Sequence, residues 1–324
     1  MLFYPVKFAA IPKERIWGGN KLKALFKEKS EEPIGEYWVL SGHPNGTSIV
    51  VNGELKGKSL VDLTKQYPEV FLGNSPQDRF PLLIKFIEAN DDLSVQVHPD
   101  DNYALKVEGD YGKTEAWYIL GAKENGQVIF GHHFKNKEEY KSAIENKQIK
   151  DFLNYQKIEE DQLLYIPSGT IHALLSGTIL IEVQQTSDIT YRVYDWDRVD
   201  KNGKGRELHI EKAADVINYT DQTTQDETRH SIVATDSISH EQLVKSDYFV
   251  IEKIILENTA YQLQLGKEGN PDVLIIAEGE GTLIAGQEIE TIALQAGDTL
   301  LVPTTIKNYE IQTKSKIKIL RTYY

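Results

Sequence analysis

Short stretches of alternating apolar and polar residues, separated by Gly, Pro, Asn and Asp, make up most of this chain. An alternation with a period of two is typical of β-strands that bury one face. The strands predicted before residue 200 are 48–51, 82–87, 93–98, 114–120, 127–130, 163–166 and 179–184. Those predicted after residue 240 are 249–256, 261–265, 273–278, 281–284, 299–302 and 317–320. Many short strands with frequent turns indicate a mainly β fold, a sandwich or jelly roll.

One stretch departs from this pattern. Residues 137–155 are charged, lack Gly and Pro, and carry Tyr140, Ile144 and Phe152 at roughly helical spacing. This predicts a short helical insertion between strands. Shorter helices are predicted over 60–67 and 210–216.

A weak internal repeat divides the chain. The segment Asp161–Pro167 resembles Asp298–Pro303, and Asn308 stands where His172 stands in the first copy. The proline-turn-histidine form of the first copy resembles the second motif of cupin jelly rolls. We therefore expect a double jelly roll (a bicupin), with a catalytic barrel over residues 1–230 and a barrel without a metal site over 231–324. The polar segment 218–240 is predicted to connect them.

Four side chains form a candidate metal site. Gln96 and His98 lie two apart in a predicted strand, so they share a face. Glu115 lies on another predicted strand, and His172 follows the turn that begins at Pro167. Two histidines, an amide and a carboxylate form a nitrogen and oxygen ligand set that suits zinc with an open, catalytic position. Iron binds similar ligands, so a cupin oxygenase is an alternative.

The composition of the chain excludes some classes of binding partner and metal ligand. The net charge is −13, which argues against nucleic-acid or anionic-membrane binding, and the chain has no cysteine, which excludes thiolate ligands and disulfides. No signal peptide or apolar run long enough to span a bilayer is visible, so we expect a cytoplasmic location.

Several segments, in order along the first two thirds of the chain, resemble type I mannose-6-phosphate isomerases of the short bacterial kind. They are RIWGG (15–19), GEYWVLSGHPNG (35–46), RFPLLIKFI (79–87), LSVQVHPDD (93–101), GKTEAWYIL (112–120), YIPSGTIHAL (165–174) and QQTSDITYRVYDWDR (184–198). The resemblance implies a zinc-dependent aldose–ketose isomerase that acts on a phosphosugar and binds one Zn²⁺ per chain. It also implies that the zinc ligands are Gln96, His98, Glu115 and His172. We expect a monomer that interconverts mannose 6-phosphate and fructose 6-phosphate through an enediol-like intermediate.

The resemblance also implies the remaining site residues. Arg192, Lys113 and Asp188 match catalytic positions, and the proton carrier is left open between Lys113, Asp188 and a metal-bound water. The substrate-binding candidates are Lys85, Ser94, Glu182, Arg198 and Trp17. Lys85 interrupts an apolar strand, where a charge is costly unless it is paired or faces a polar cavity.

Two of these interpretations stay open. Arg198 is equally consistent with an exposed loop charge. The alternative to an enzyme is a non-catalytic bicupin that binds a sugar phosphate, although the presence of both Lys113 and Arg192 favours catalysis.

Overall fold

The computed structural model describes residues 2–199, 202–220 and 229–324. The strands up to residue 200 are β1 (Val6–Lys7), β2 (Ile11–Gly19), β3 (Ile34–His43), β4 (Gly46–Thr47), β5 (Leu82–Ala89), β6 (Val95–Val97), β7 (Glu115–Gly121), β8 (Gln127–His132), β9 (Leu153–Lys157), β10 (Leu163–Ile166), β11 (His172–Leu174), β12 (Thr178–Gln185) and β13 (Tyr191–Tyr194). The later strands are β14 (His230–Ala234), β15 (Ile238–Lys245), β16 (Val250–Glu257), β17 (Ala260–Gln264), β18 (Asp272–Ile284), β19 (Ile292–Gln295), β20 (Thr299–Val302), β21 (Asn308–Gln312) and β22 (Lys316–Tyr323). The prediction of a mainly β fold is confirmed.

Helices lie between the strands of the first part. They are α1 (Lys21–Phe26), α2 (Leu60–Gln66), α3 (Pro68–Phe71), α4 (Asp101–Val107), α5 (Lys137–Glu145), a 3-10 helix (Ile149–Phe152) and α6 (Ile210–Val216). Helix α2 begins with a capping box, in which Ser59 and Asp62 each accept a hydrogen bond from the other's backbone N–H. No helix among the described residues is long and apolar enough to cross a membrane.

The described strands form three sheets. The central sheet has the order β10-β7-β12-β5-β3-β2, and the small sheet has the order β13-β6-β11-β8-β9. The C-terminal sheet has the order β1-β20-β18-β22-β16-β15-β14, with β17, β19 and β21 attached to it through β18. Strand β1 therefore belongs to the C-terminal sheet although it precedes every strand of the central sheet in the sequence.

The central sheet is covered on both faces, and its side chains alternate accordingly. On β5, Ile84 and Phe86 pack in the apolar core shared with the C-terminal sheet, together with Ile251 and Leu320. Ile87, on the opposite face, packs with Trp117 and other residues between the central and small sheets. Each fully buried side chain of this size stabilises the fold by about 1.5–3 kcal/mol. The two cores fix the central sheet as a rigid wall facing the small sheet.

The strand predicted at 48–51 is reduced to two isolated β-bridges, of Ile49 with Ser59 and of Val50 with Phe8. Three further predictions need correction. The helical insertion is shorter than predicted, because α5 ends at Glu145 and residues from Leu153 onward belong to β9. The strands predicted at 273–278 and 281–284 are one strand, β18, which bends at Gly279 (φ +81°). Of the connection predicted at 218–240, residues 221–228 lie outside the described residues, and the part after residue 229 forms β14 and the start of β15.

Candidate metal centre and substrate cavity

Strand pairing brings the four candidate metal ligands together. His172, the first residue of β11, lies opposite Gln96 of β6 in the small sheet. Glu115 is the first residue of β7 in the facing central sheet. His98 follows Gln96 by two residues, and its carbonyl oxygen accepts a hydrogen bond of 2.8 Å from Gly169 N in the turn before His172. The structure thus brings together the segments that carry the four ligands predicted from the sequence.

The three charged or basic ligands converge closely. Their ligand atoms all lie within 4.8 Å of one another. Nε2 of His98 lies 3.5 Å from Oε2 of Glu115, and Nε2 of His172 lies 3.3 Å from Oε1 of the same carboxylate. Two atoms bound to a tetrahedral zinc ion at about 2.0–2.2 Å are about 3.3–3.6 Å apart. The spacing therefore fits one ion held between them.

The hydrogen bonding of these groups points to the same conclusion. His98, Glu115 and His172 are buried, yet both ring nitrogens of His98 and both carboxylate oxygens of Glu115 have no hydrogen-bond partner in the described part of the chain. Buried polar atoms are nearly always hydrogen-bonded, so a cluster of unbonded nitrogen and oxygen atoms is suited to hold a cation. The donor set fits a divalent metal.

The protonation of the histidines suits metal binding. Burial, together with the nearby Lys113 charge, lowers the pKa of His98 to about 3, and burial also lowers the pKa of His172. The imidazoles are therefore neutral at neutral pH. Nδ1 of His172 lies 2.9 Å from the carbonyl oxygen of Thr170, so it carries the proton and leaves Nε2 free to bind.

Gln96 completes the set. Its Nε2 lies 3.3 Å from Nε2 of His172, and a half-turn of the amide would present Oε1 at the same point. The amide is neutral, so with two neutral histidines and one carboxylate a divalent ion would keep a formal charge of about +1.

Lys113 lies beside this cluster. Its ammonium is 3.2 Å from Oε2 of Glu115, and its side chain is buried. Burial alone would raise the pKa of Glu115, but Lys113 and the two histidines outweigh it and hold that pKa well below its ordinary value. The carboxylate is therefore ionised and available as a ligand.

A cavity of about 290 Å³ lies between the central and small sheets, and Gln96 and Lys113 connect it to the cluster, whereas His98, Glu115 and His172 do not line it. Most of the predicted site residues line it: Trp17, Lys85, Ser94, Gln96, Lys113, Glu182, Asp188 and Arg192. The cavity also has Arg15, Glu36, Trp117, Thr190 and Arg206 in its wall, which are not among the site residues predicted from the sequence. This volume is at the small end of the range for sites that bind small molecules.

The floor of the cavity holds a buried ion pair. Lys85 of β5 lies opposite Glu182 of β12, with 2.9 Å between Nζ and Oε1, and Trp117 Nε1 donates to the other oxygen of Glu182 at 3.0 Å. The ammonium also lies 5.5 Å from the ring centroid of Trp38. Burial opposes the charge of Lys85, but the carboxylates of Glu182 and Glu36 outweigh it and raise its pKa. The expectation that this lysine is paired or faces a polar cavity is therefore met on both counts.

The rim on the side of β2 and β3 is also charged. Arg15 donates to Glu36 through Nε at 3.0 Å, and Trp38 Nε1 donates to the same carboxylate at 2.7 Å. Arg15 and Trp17 lie two apart on β2, so they share a face, which was the signal available in the sequence.

The opposite end of the cavity is cationic. Arg192 of β13 donates to Ser94 Oγ at 3.3 Å and to the carbonyl oxygen of Glu207 at 2.8 Å, and it forms no ion pair within the described ranges. Burial lowers the pKa of Arg192, and the charge of the nearby Arg206 lowers it further. A free cation beside a second one is suited to bind an anion.

Arg198 is placed differently from the other candidates. It contacts Asp195 and the backbone oxygen of Asp92, and it does not line the cavity. Asp195 also binds Arg206 through Nε at 2.7 Å and through Nη2, and that residue does reach the cavity wall. The structure therefore brings Arg206 to the site in the place predicted for Arg198.

Asp188 lies at the exposed side of the cavity. It accepts a hydrogen bond of 2.9 Å from Asn45 Nδ2, in the turn between β3 and β4. Asp188 and Arg192 form no ion pair with each other in the described part of the chain, so both charges are available to a ligand.

Comparison with known proteins gives a consistent result. A model of the type I phosphomannose isomerase catalytic domain matches residues 6–118. A mannose-6-phosphate isomerase from Streptococcus mutans is 40% identical over 299 residues, 92% of each chain. The mannose-6-phosphate isomerase ManA from Bacillus subtilis is 37% identical over 318 residues, 95% of this chain and 96% of its own. A crystal structure of the mannose 6-phosphate isomerase from Bacillus subtilis superposes with a TM-score of 0.91 at 35% identity, covering 99% of this chain and 100% of its own.

Proposed function

The chain belongs to the type I phosphomannose isomerase family and is an isomerase, and from this premise we propose its substrate, metal and mechanism. It interconverts D-mannose 6-phosphate and D-fructose 6-phosphate with one zinc ion per chain, by proton transfer through an enediol-like intermediate. The observation that carries the proposal is the cluster of buried ligand atoms without hydrogen-bond partners, next to Gln96 and Lys113 in the wall of a cavity that also has several cations in its lining.

Gln96, His98, Glu115 and His172 would hold the metal. When bound, the ion supplies Lewis-acid stabilisation of the negative charge that develops on the substrate's carbonyl oxygen. The four residues provide a single negative charge among them, so the site stays electrophilic. Of the four, Gln96 lines the cavity, so the ligand set reaches the cavity wall through this residue.

Lys113 and Asp188 are positioned to move the proton between neighbouring carbons of the sugar. Both line the cavity, Lys113 at its buried base beside Glu115 and Asp188 at its exposed side. A proton carrier must lie within hydrogen-bond reach of the reacting carbon and its oxygens. Of the two, we assign the larger share to Lys113, because it lies beside the ligand set.

The phosphate is assigned to the cationic end. Arg192, Arg206 and Ser94 offer guanidinium and hydroxyl donors there, and a phosphate accepts such bonds with charge assistance. Lys85 contributes to the sugar-binding floor, since its charge is already matched by Glu182. Trp17 and Trp117 provide flat apolar walls for the sugar ring.

The domain division is part of the same proposal. Residues 1–230 form the catalytic barrel, and residues 231–324 form a barrel without a metal site. In support, the one cluster of potential metal ligands found in the described residues belongs to the first part.

The test is isomerase turnover with mannose 6-phosphate before chelation, after chelation and after zinc is restored. We expect turnover to disappear with the metal and to return with zinc. A folded, zinc-loaded protein that binds mannose 6-phosphate in calorimetry without turning it over would overturn the enzymatic proposal in favour of a binding protein. A preparation that consumes oxygen with iron would instead favour the oxygenase.

A further inference from the structure

The internal repeat has a structural counterpart that the isomerase site does not explain. In the first barrel, Ile166 lies opposite Glu115 and directly precedes Pro167. In the second barrel, Val302 lies opposite Asp272 and directly precedes Pro303. Asp272 therefore occupies, by strand register, the position of the carboxylate ligand.

The remaining ligand positions can be followed in the same way. Gln96 lies opposite His172, and in the second barrel Gln264 lies opposite Asn308. Two residues after Gln264, where His98 would stand, is Gly266. The second barrel thus lacks counterparts of both His98 and His172.

The space next to Gly266 is filled. A Cβ atom at this glycine would lie 2.1 Å from Cε1 of Tyr323. A histidine could not be restored here without moving the tyrosine ring, so packing closes the position to an imidazole ligand.

Arg321 supplies the positive charge in this barrel. Its Nε and Nη2 donate to Oδ2 of Asp272 at 2.9 and 2.7 Å, its Nη1 donates to Glu252 at 3.1 Å, and its Nη2 also contacts the backbone oxygen of Gln264. Tyr309 adds a bond of 2.8 Å to Asp272. The side chains of Arg321, Asp272, Glu252 and Tyr309 are all buried, so the guanidinium is shielded from solvent by its hydrogen-bond partners.

The charges on the neighbouring strands are reversed between the barrels. Glu182 lies on the strand beside β7, opposite Trp117, which follows Glu115 by two residues. Arg321 lies on the strand beside β18, opposite Leu274, which follows Asp272 by two residues. The next strand carries Lys85 against Glu182 in the first barrel and Glu252 against Arg321 in the second.

We propose that the guanidinium of Arg321 is the resident cation of the second barrel, in the place that corresponds to the proposed metal site of the first. The carboxylate of Glu115 accepts no hydrogen bond in the described part of the chain and has the Lys113 ammonium 3.2 Å away, whereas the equivalent carboxylate of Asp272 accepts two hydrogen bonds from the guanidinium of Arg321. The pocket left by removing this side chain is a binding site for a guanidinium ion. The inference does not depend on the isomerase activity.

The test is chemical rescue of the full chain. Arg321→Ala should lower the Tm by roughly 10 °C, because it leaves buried carboxylates without a cation. Millimolar guanidinium chloride, far below denaturing concentrations, should recover part of that loss, while sodium chloride at equal ionic strength should not. Hydrogen exchange should slow in β16, β18 and β22 on addition of guanidinium. Arg229→Ala, which removes an exposed ion pair with Glu241, is the matched control and should show neither effect.

A second variant keeps the test decisive if Arg321→Ala does not fold. Arg321→Met should be less stable than the triple variant that also carries Asp272→Asn and Glu252→Gln, because the triple variant removes the charges that need a cation. An equal or lower Tm for the triple variant, or a rescue matched by sodium chloride, would overturn the proposal.

Discussion

The ammonium of Lys85 and the carboxylate of Glu182 lie 2.9 Å apart on neighbouring strands, and both side chains are about 5% exposed. They form the floor of the cavity, with the rings of Trp38 and Trp117 beside them. The pair is buried, so the stability of the central sheet depends on both charges being present together.

Removing either partner of this pair should destabilise the protein. Lys85→Met or Glu182→Gln should each lower the free energy of unfolding by about 3–5 kcal/mol, because one buried charge is left uncompensated. The double variant should recover much of that loss. Urea unfolding of the four proteins measures the coupling, and strictly additive losses would show that the two charges do not stabilise each other.

Metal retention should depend on the proposed ligands and not on other buried histidines. His172→Ala should lose its metal on dialysis, since the mutation removes one of the converging ligand atoms. His43→Ala is the matched control, because His43 is also buried but lies near Asp110 instead of the ligand cluster. Metal content per chain is the measurement, and equal retention in both variants would contradict the ligand assignment.

Substitutions of Arg206 and Arg198 should differ in their effect on KM, because Arg206 lines the cavity and Arg198 does not. Arg206→Met should raise the KM for mannose 6-phosphate by about 10–100-fold, which is the range for the loss of a hydrogen bond to a charged group. Arg198→Met, which is outside the cavity, should change KM much less. Steady-state kinetics of both variants measure this difference. A larger effect of Arg198→Met would support the prediction from the sequence that Arg198 binds the substrate.

Substitutions of the two candidate proton carriers, Lys113 and Asp188, should lower kcat to different extents. Lys113→Met should lower kcat by about 10²-fold or more, a typical loss for a general acid or base. Asp188→Asn should lower it less. Metal content must be measured in parallel, because Lys113 contacts the ligand Glu115. A metal-loaded Lys113→Met protein with a kcat close to that of the parent, together with a severe loss in Asp188→Asn, would reverse the assignment.

Stability should fall as the pH is lowered below the ordinary pKa of histidine, partly through His132. Burial lowers the pKa of His132 from 6.5 to about 4. As the pH falls, the unfolded chain binds this proton first, so the stabilisation present above pH 6.5 is lost between 6.5 and 4. His132→Gln should show a shallower loss in urea unfolding across this interval, whereas the exposed His230→Gln should not. The same slope in all three proteins would exclude a contribution from His132.

The sequence was most informative where the site residues lie on short strands of regular alternation. Gln96 and His98 share a face because of their spacing, and Lys85 is conspicuous as a charge within an apolar strand. Arg206 could not be found in this way. Its place in the cavity wall depends on the bond to Asp195, which no local pattern encodes.

The errors in secondary structure also have local causes. The segment after α5 has no Gly or Pro, but Lys147 adopts a left-handed conformation (φ +57°) and ends the helical path. In β18, Gly279 interrupts the apolar pattern without ending the strand, because pairing with β22 continues through a bulge between Ile276 and Glu278. In both places a single backbone conformation outweighs the composition around it.

The pairing of β1 with β20 has a consequence for synthesis on the ribosome. Val6 and Leu301 are nearly three hundred residues apart in the sequence, yet they face each other in one sheet. Strand β1 must therefore wait until nearly three hundred further residues have been translated before its partner exists. Contacts this distant form slowly, and until then the edge of β1 is open to other strands. The C-terminal sheet is thus completed by a segment that is translated long before the strand it pairs with.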